Sequence, residues 1–92
     1  MNFRLIYTET YIKKATKFLK KPPEIVSQYE KTLKILEADP AHPSLRLHKL
    51  KGKLSHLYSV SINISYRITL EFYISENEIL LVNIGNHDDV YL

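Results

Sequence analysis

The sequence predicts an α+β fold in the order β-α-α-β-β-β: an N-terminal strand, a helical hairpin, then a twisted antiparallel sheet of three to four strands with the helices on one face. Three features carry this expectation. Apolar residues recur at helical spacing between Glu9 and Ala38. Apolar and polar residues alternate without a break from Tyr58 to Ile74, a period of two. Turn-forming residues at Asn63–Ser65 and Glu76–Asn77 divide that second half into separate strands.

Phe3–Thr8 alternates and is rich in strand formers, which makes it the first strand. Tyr11, Ile12, Ala15, Phe18 and Leu19 then form one apolar stripe. Thr8 or Thr10 is suited to cap that helix, and Pro22 stops it. Pro23 fits the first turn of a second helix, with Glu24 near its positive end. Ile25, Val26, Tyr29, Leu33 and Leu36 face inward, and Asp39–Pro40 ends the helix. Between Tyr58 and Ile74 the even positions are apolar, while Ser59, Ser61, Asn63, Ser65, Arg67, Thr69 and Glu71 hold odd positions. That stretch far exceeds the usual strand of about 5–6 residues, so a hairpin near Asn63–Ser65 is expected. Residues 78–85, EILLVNIG, are apolar at nearly every position and are expected to form a central strand covered on both faces. The sheet face opposite the helices is left to the polar odd positions and the basic residues.

The 92 residues form one domain, residues 1–92. A chain this short buries only about 60–65% of its unfolded surface. A groove or an exposed face is therefore expected as the site, not a deep cavity. There is no cysteine, which removes disulfides and thiolate metal sites and fits a reducing compartment. No apolar run approaches the roughly 18 residues of a membrane span, and no signal-peptide pattern opens the chain. A soluble, cytoplasmic protein with no membrane partner is expected.

Net charge is only +3, but it is placed in blocks. No acidic residue occurs from Pro40 to Leu70, a stretch holding Arg46, Lys49, Lys51, Lys53 and Arg67 with His42, His48 and His56. From Glu71 onward there are five acidic residues and no Lys or Arg. Lys13, Lys14, Lys17, Lys20 and Lys21 form a second basic run. Such asymmetry points to a polyanionic partner, a nucleic acid or an acidic protein. The competing reading of the Lys13–Lys21 run is a solvated lysine face. A metal site is not expected, because adjacent residues such as His87, Asp88 and Asp89 rarely converge on one ion and no second cluster completes a shell. No cofactor is expected.

Four stretches in order carry a family resemblance: LHKLKGKL (47–54), YSVSINISYRI (58–68), LLVNIG (80–85) and NHDDVY (86–91). With them the chain resembles the RelE/ParE superfamily of toxins from bacterial type II toxin–antitoxin systems. It resembles most their RelE, YafQ and HigB-like side, the mRNA interferases. The resemblance covers the whole chain. It implies a RelE-like fold, a ribosome-dependent endoribonuclease that cuts messenger RNA without a metal, a cognate antitoxin, and a higher-order toxin–antitoxin complex. Other members of the superfamily poison DNA gyrase, so a ParE-type gyrase inhibitor is the alternative. A catalytically weak homologue acting mainly as an antitoxin-binding module is another.

The resemblance also assigns residues. His87 matches a catalytic histidine and Tyr91 an assisting aromatic. Arg67, in YRI, matches an arginine that contacts the scissile phosphate. His48, in the pattern His48-x-Leu50-x-Gly52, matches a second histidine. The chemistry fits these types. Cleavage of RNA at its own 2′-hydroxyl needs a base, an acid for the leaving oxygen, and cations for the phosphate. An imidazole serves either proton role, and a guanidinium suits a phosphate. Gly85 is expected to turn the backbone sharply and set His87 at the sheet edge. Arg46, Lys49, Lys51 and Lys53 are expected to bind RNA, the three lysines alternating on one strand face along a phosphate backbone. Competing structural readings exist for each: a turn histidine with Tyr91 as core anchor, an Arg67–Glu71 ion pair, a strand-edge His48, and lysines that protect an edge. A further histidine and an aspartate of the YafQ-like group fall on Ser61 and Ser65 here, and neither serine is a general base unaided.

Overall fold

The computed structural model of the chain describes residues 2–87. β1 (Arg4–Tyr7) leads into α1 (Glu9–Phe18) and α2 (Pro23–Ala38), followed by β2 (His48–Lys49), β3 (Tyr58–Ser61), β4 (Tyr66–Tyr73) and β5 (Glu78–Asn86). Short 3₁₀ turns occupy Pro43–Leu45, Gly52–Leu54 and Ile74–Glu76. The α+β class and the element order agree with expectation, with the short β2 added.

The strands form one sheet in the order β1-β5-β4-β3-β2. Its β2–β5 part is the expected antiparallel sheet of three to four strands, and the N-terminal strand joins it to make a mixed sheet of five. β2 through β5 run antiparallel as a meander, but β1 pairs with β5 in parallel, Arg4 opposite Glu78 and Tyr7 opposite Leu81. The cause is topological. The helical hairpin carries the chain from β1 to the far edge of the sheet, and the meander then returns β5 beside β1. Alternation reports which face a residue takes, not which way its strand runs.

Thr8 caps α1, accepting from the Tyr11 N–H at 3.2 Å, while its hydroxyl donates to the Leu81 carbonyl at 2.9 Å. One side chain thus ends the strand, starts the helix and ties both to β5. α1 buries Tyr11, Ala15 and Phe18; α2 buries Tyr29, Thr32 and Leu36. Ile12 and Leu19 of the predicted stripe stay about half exposed. These helical residues pack on Val60, Ile68, Leu70, Ile79, Leu81 and Ile84 of the sheet. At the rim, Phe18 meets the Tyr66 ring edge-on at 5.2 Å, and the Lys21 ammonium sits 4.6 Å over Tyr66, a cation–π contact.

β5 departs from expectation in an informative way. The ladder with β4 shifts register between Thr69 and Leu70: Thr69 faces Asn83, but Leu70 faces Leu81. Val82 is therefore a bulge, one extra residue that changes which parity points at the helices. Ile79 and Leu81 face the core before it and Ile84 after it, each 3% exposed or less, while Leu80 and Val82 are only partly buried. The nearly continuous apolar run reflects this change of parity. The strand is interior, but it is not fully covered on both faces.

Candidate active site

Cross-strand register sets the residues of the polar sheet face in rows. Ser61 of β3, Arg67 of β4 and Gly85 of β5 form one row. His48 of β2, Ser59, Thr69 and Asn83 form the next. The centre of this face is closed, contrary to the expectation of an open polar face: Ser59 and Thr69 are 0% and 1% exposed. The row of Ser61 and Arg67, at the end of the face, is partly exposed. There the meander assembles the start of β2, the end of β3, the start of β4 and the end of β5. This places Arg46 and His48, Ser61, Arg67 and His87 at the same end of the sheet, although they are far apart in sequence.

Arg67 is half-buried and tightly held. One nitrogen, Nη1, donates to Ser61 Oγ at 2.6 Å and to the Asn63 carbonyl at 2.9 Å. The Ser61 hydroxyl in turn donates to the same Asn63 carbonyl at 2.8 Å. Asn63 anchors the hairpin: its Oδ1 accepts the N–H groups of Ser65 and Tyr66 at 2.8 and 2.9 Å, an Asx turn, and its amide donates to Gln28 of α2 at 2.8 Å. The guanidinium is thus held by the hairpin loop, and its hydrogen bonds among the described residues all run through Nη1. Gly85, opposite Arg67, puts no side chain beside it. The Arg67–Glu71 ion pair does not form. Four residues along a strand is about 13 Å, and Glu71 instead accepts a hydrogen bond from Tyr73. Ser61, in the position of an expected acid–base residue, is a hydrogen-bonding clamp on Arg67. That role was not legible in the sequence, because it depends on the loop carbonyl.

His48 is exposed, and its Nδ1 lies 3.1 Å from the Arg46 carbonyl. A carbonyl only accepts, so Nδ1 carries the hydrogen and the neutral ring presents Nε2 as a lone pair. Sheet geometry puts the His48 and Arg67 Cα atoms about 12 Å apart on the same face. His87 is exposed and directly follows β5. Gly85 does not make the expected sharp turn: it lies inside β5, paired with Arg67, and the strand continues through Asn86. Tyr91 lies outside the described residues.

The lysines do not share one strand face. β2 is only two residues long, with Lys49 in it and Lys51 beyond it. Lys53 sits in the 3₁₀ turn that begins at Gly52. Gly52 has φ +65°, a left-handed conformation that ends the extended run. All three lysines are exposed. Arg46 is exposed too and adopts the same left-handed region, φ 50° and ψ 44°, with its N–H bonded to the Pro43 carbonyl at 3.2 Å. A non-glycine residue held there is uncommon and concentrates near functional sites. His42 is a cap: its Nδ1 accepts from the Ser44 N–H at 3.1 Å. Among the described residues no three His, Cys, Asp or Glu side chains are placed to hold a metal ion, and no helix is long and apolar enough to cross a membrane.

No family model matches the chain, and no curated protein matches its sequence. Solved structures do match its shape. A variant of YafQ from E. coli superposes with a TM-score of 0.78 at 11% identity, covering 98% of this chain and 99% of that one. A YoeB/ParE toxin from Agrobacterium tumefaciens gives 0.75 at 15% identity, covering 92% and 99%. The toxin–antitoxin complex RelBE2 from Mycobacterium tuberculosis gives 0.74 at 15% identity, covering 95% and 100%. Near-complete coverage in both directions, with the helical hairpin and five-stranded mixed sheet in hand, leads to one conclusion: this chain has the fold of the RelE/ParE-superfamily toxins.

Proposed function

We propose that this chain is the toxin of a type II toxin–antitoxin pair and a metal-independent endoribonuclease that cuts messenger RNA on the ribosome. The observation that carries the reading is the gathering of Arg67, His48 and His87 at the same end of the sheet, with Arg67 bonded among the described residues through Nη1. In this mechanism the Arg67 guanidinium takes the charge that builds on the phosphate oxygens. One imidazole removes the 2′-hydroxyl proton and another protonates the 5′ leaving oxygen. His48, with Nε2 unprotonated in its neutral ring, is suited to be the base, and His87 to be the acid, assisted by Tyr91. Arg46, Lys49, Lys51 and Lys53 hold the flanking backbone. With so few proton carriers, the ribosome supplies the in-line alignment of the strand.

The partner that neutralises it is a cognate antitoxin in a higher-order complex, a proposal supported by the toxin–antitoxin assembly among the structural neighbours. The expected compartment is the cytoplasm. The test is to map messenger RNA ends in cells expressing the chain against a His87→Ala control. New ends within translated codons, absent from the control, are expected. Growth arrest with DNA damage and no new RNA ends contradicts the proposal and selects the gyrase reading.

A further inference from the structure

Beside the Arg67 site runs a groove that, apart from Arg46 and Ser61, the proposed chemistry does not use. A depression of about 350 Å³ lies between α2 and the Pro43–Leu45 turn, lined in part by Gln28, Lys31, His42 and Ser44. A second, of about 210 Å³, contains Arg46 and Ile64. The two adjoin, sharing Ser44, Ser61 and Ile62. No aspartate or glutamate lines either part.

Hydrogen bonding gives this groove a definite polarity. His42 Nδ1 is occupied as an acceptor by the Ser44 N–H, so the neutral ring carries its hydrogen on Nε2. Gln28 Oε1 is occupied as an acceptor by the Asn63 amide at 2.8 Å, which leaves the Gln28 NH₂ to donate. Lys31 and Arg46 have only donors. Each of these groups has its acceptor end used within the protein or has none, and offers N–H to whatever enters. A ligand that only accepts is the complement. The groove also leads to the candidate site, since the Ser61 hydroxyl that lines it is the one receiving the Arg67 N–H at 2.6 Å. At its rim Ile64 is 92% exposed, a large apolar side chain at the tip of a hairpin.

We propose that this groove is a subsite for the RNA nucleotide next to the bond being cut, with Lys31, His42 and Arg46 holding its phosphate and Ile64 contacting its base. The inference rests on the ribonuclease reading above. An acidic peptide also offers acceptors, but donors interleaved with apolar Ile62 and Ile64 suit a chain that repeats phosphate and base.

The test is an NMR titration of the full ¹⁵N-labelled chain with a trinucleotide RNA methylated at every 2′-oxygen, which binds without being cut. Hexaglutamate serves as a second probe. The expected result is that RNA moves the signals of Lys31, Ser44, Arg46 and Ile64 together with those around Arg67. Lys31→Ala, on an exposed helical position that accepts alanine, should weaken RNA binding about fivefold and reduce the slope of log affinity against log salt by about 0.7, the worth of one single-strand phosphate contact. Shifts around His48 and Arg67 alone would overturn the groove and leave the ribonuclease reading standing. Groove shifts without any at Arg67 would support the subsite while counting against that reading. A groove that responds to hexaglutamate and not to RNA would overturn the proposal in favour of an acidic protein partner. No response to RNA anywhere would overturn both.

Discussion

Arg67 donates to Ser61 across the β3–β4 pair at 2.6 Å, and the hydroxyl it meets is locked onto the Asn63 carbonyl. The residue that reads as a lost acid–base group therefore holds the guanidinium that the proposed mechanism sets against the phosphate. Ser61→Ala should lower kcat for RNA cleavage about tenfold with little change in KM, because misaim of a transition-state contact is felt in the chemical step. Ser61→Thr, which keeps the hydroxyl, should restore most of the rate. Steady-state kinetics of the two variants decide it, and equal activity for wild type and Ser61→Ala would remove Ser61 from this role.

The central row of the polar face contains a hydroxyl with no hydrogen-bond partner among the described residues. It is the buried Thr69 Oγ1. Thr69→Val keeps the shape and removes the unsatisfied group, so it should stabilise the chain by roughly 1 kcal/mol in urea unfolding. A destabilised variant would mean that the hydroxyl has a partner in solution.

How much of this was legible follows from what a pattern encodes. The Asn63–Ser65 hairpin and the Asn77 turn were visible, because Asn at such positions bends the backbone by its own side chain or tolerates the left-handed conformation. Pro22 and Pro23 marked the break between the helices for equally local reasons. The bulge at Val82 was not visible, since an extra residue in an apolar run looks like a strand buried on both sides. Lys49, Lys51 and Lys53 alternate in sequence, but Gly52 takes a positive φ and ends their shared face. The site divides similarly. Arg67 and the histidines stood out by chemistry, whereas the Ser61 clamp and the donor polarity of the Gln28–Arg46 groove depend on contacts between distant segments.

In the core, Tyr11 and Tyr29 share a hydroxyl–hydroxyl hydrogen bond at 3.0 Å. Burial first, then this bond, pushes the Tyr11 phenol well above its ordinary range, and burial raises Tyr29 as well. The folded chain thus holds these protons more tightly than the unfolded chain, whose phenols titrate near pH 10. Their contribution is full below about pH 10 and is lost as pH rises beyond it. Tyr11→Phe should cost about 1 kcal/mol at neutral pH by stranding the Tyr29 hydroxyl. It should also flatten the fall in stability above pH 10. Urea midpoints between pH 7 and 11 for both proteins check the two effects together.

An antitoxin that covers the acid-free stretch should do so with an acidic or amphipathic segment. Association should slow steeply as salt rises, with dissociation changed much less. Stopped-flow binding at several ionic strengths measures this. A rate independent of salt, or a complex that leaves Lys49, Lys51 and Arg67 as exposed as before, would rule it out.

The central claim is that Arg67 and the histidines promote attack by the RNA's own 2′-hydroxyl. Its most direct test is a ribosome-bound message carrying a single 2′-methoxy sugar at the mapped cut site, incubated with the purified chain, with products resolved by end group. On the unmodified message the account predicts a 2′,3′-cyclic phosphate and a 5′-hydroxyl, a yield unchanged by a chelator that leaves the ribosome intact, and loss of about 10²–10⁴-fold in rate for His87→Ala. On the modified message it predicts no cut at that bond. Cleavage at the methylated position, or a 5′-phosphate on the product, would contradict it.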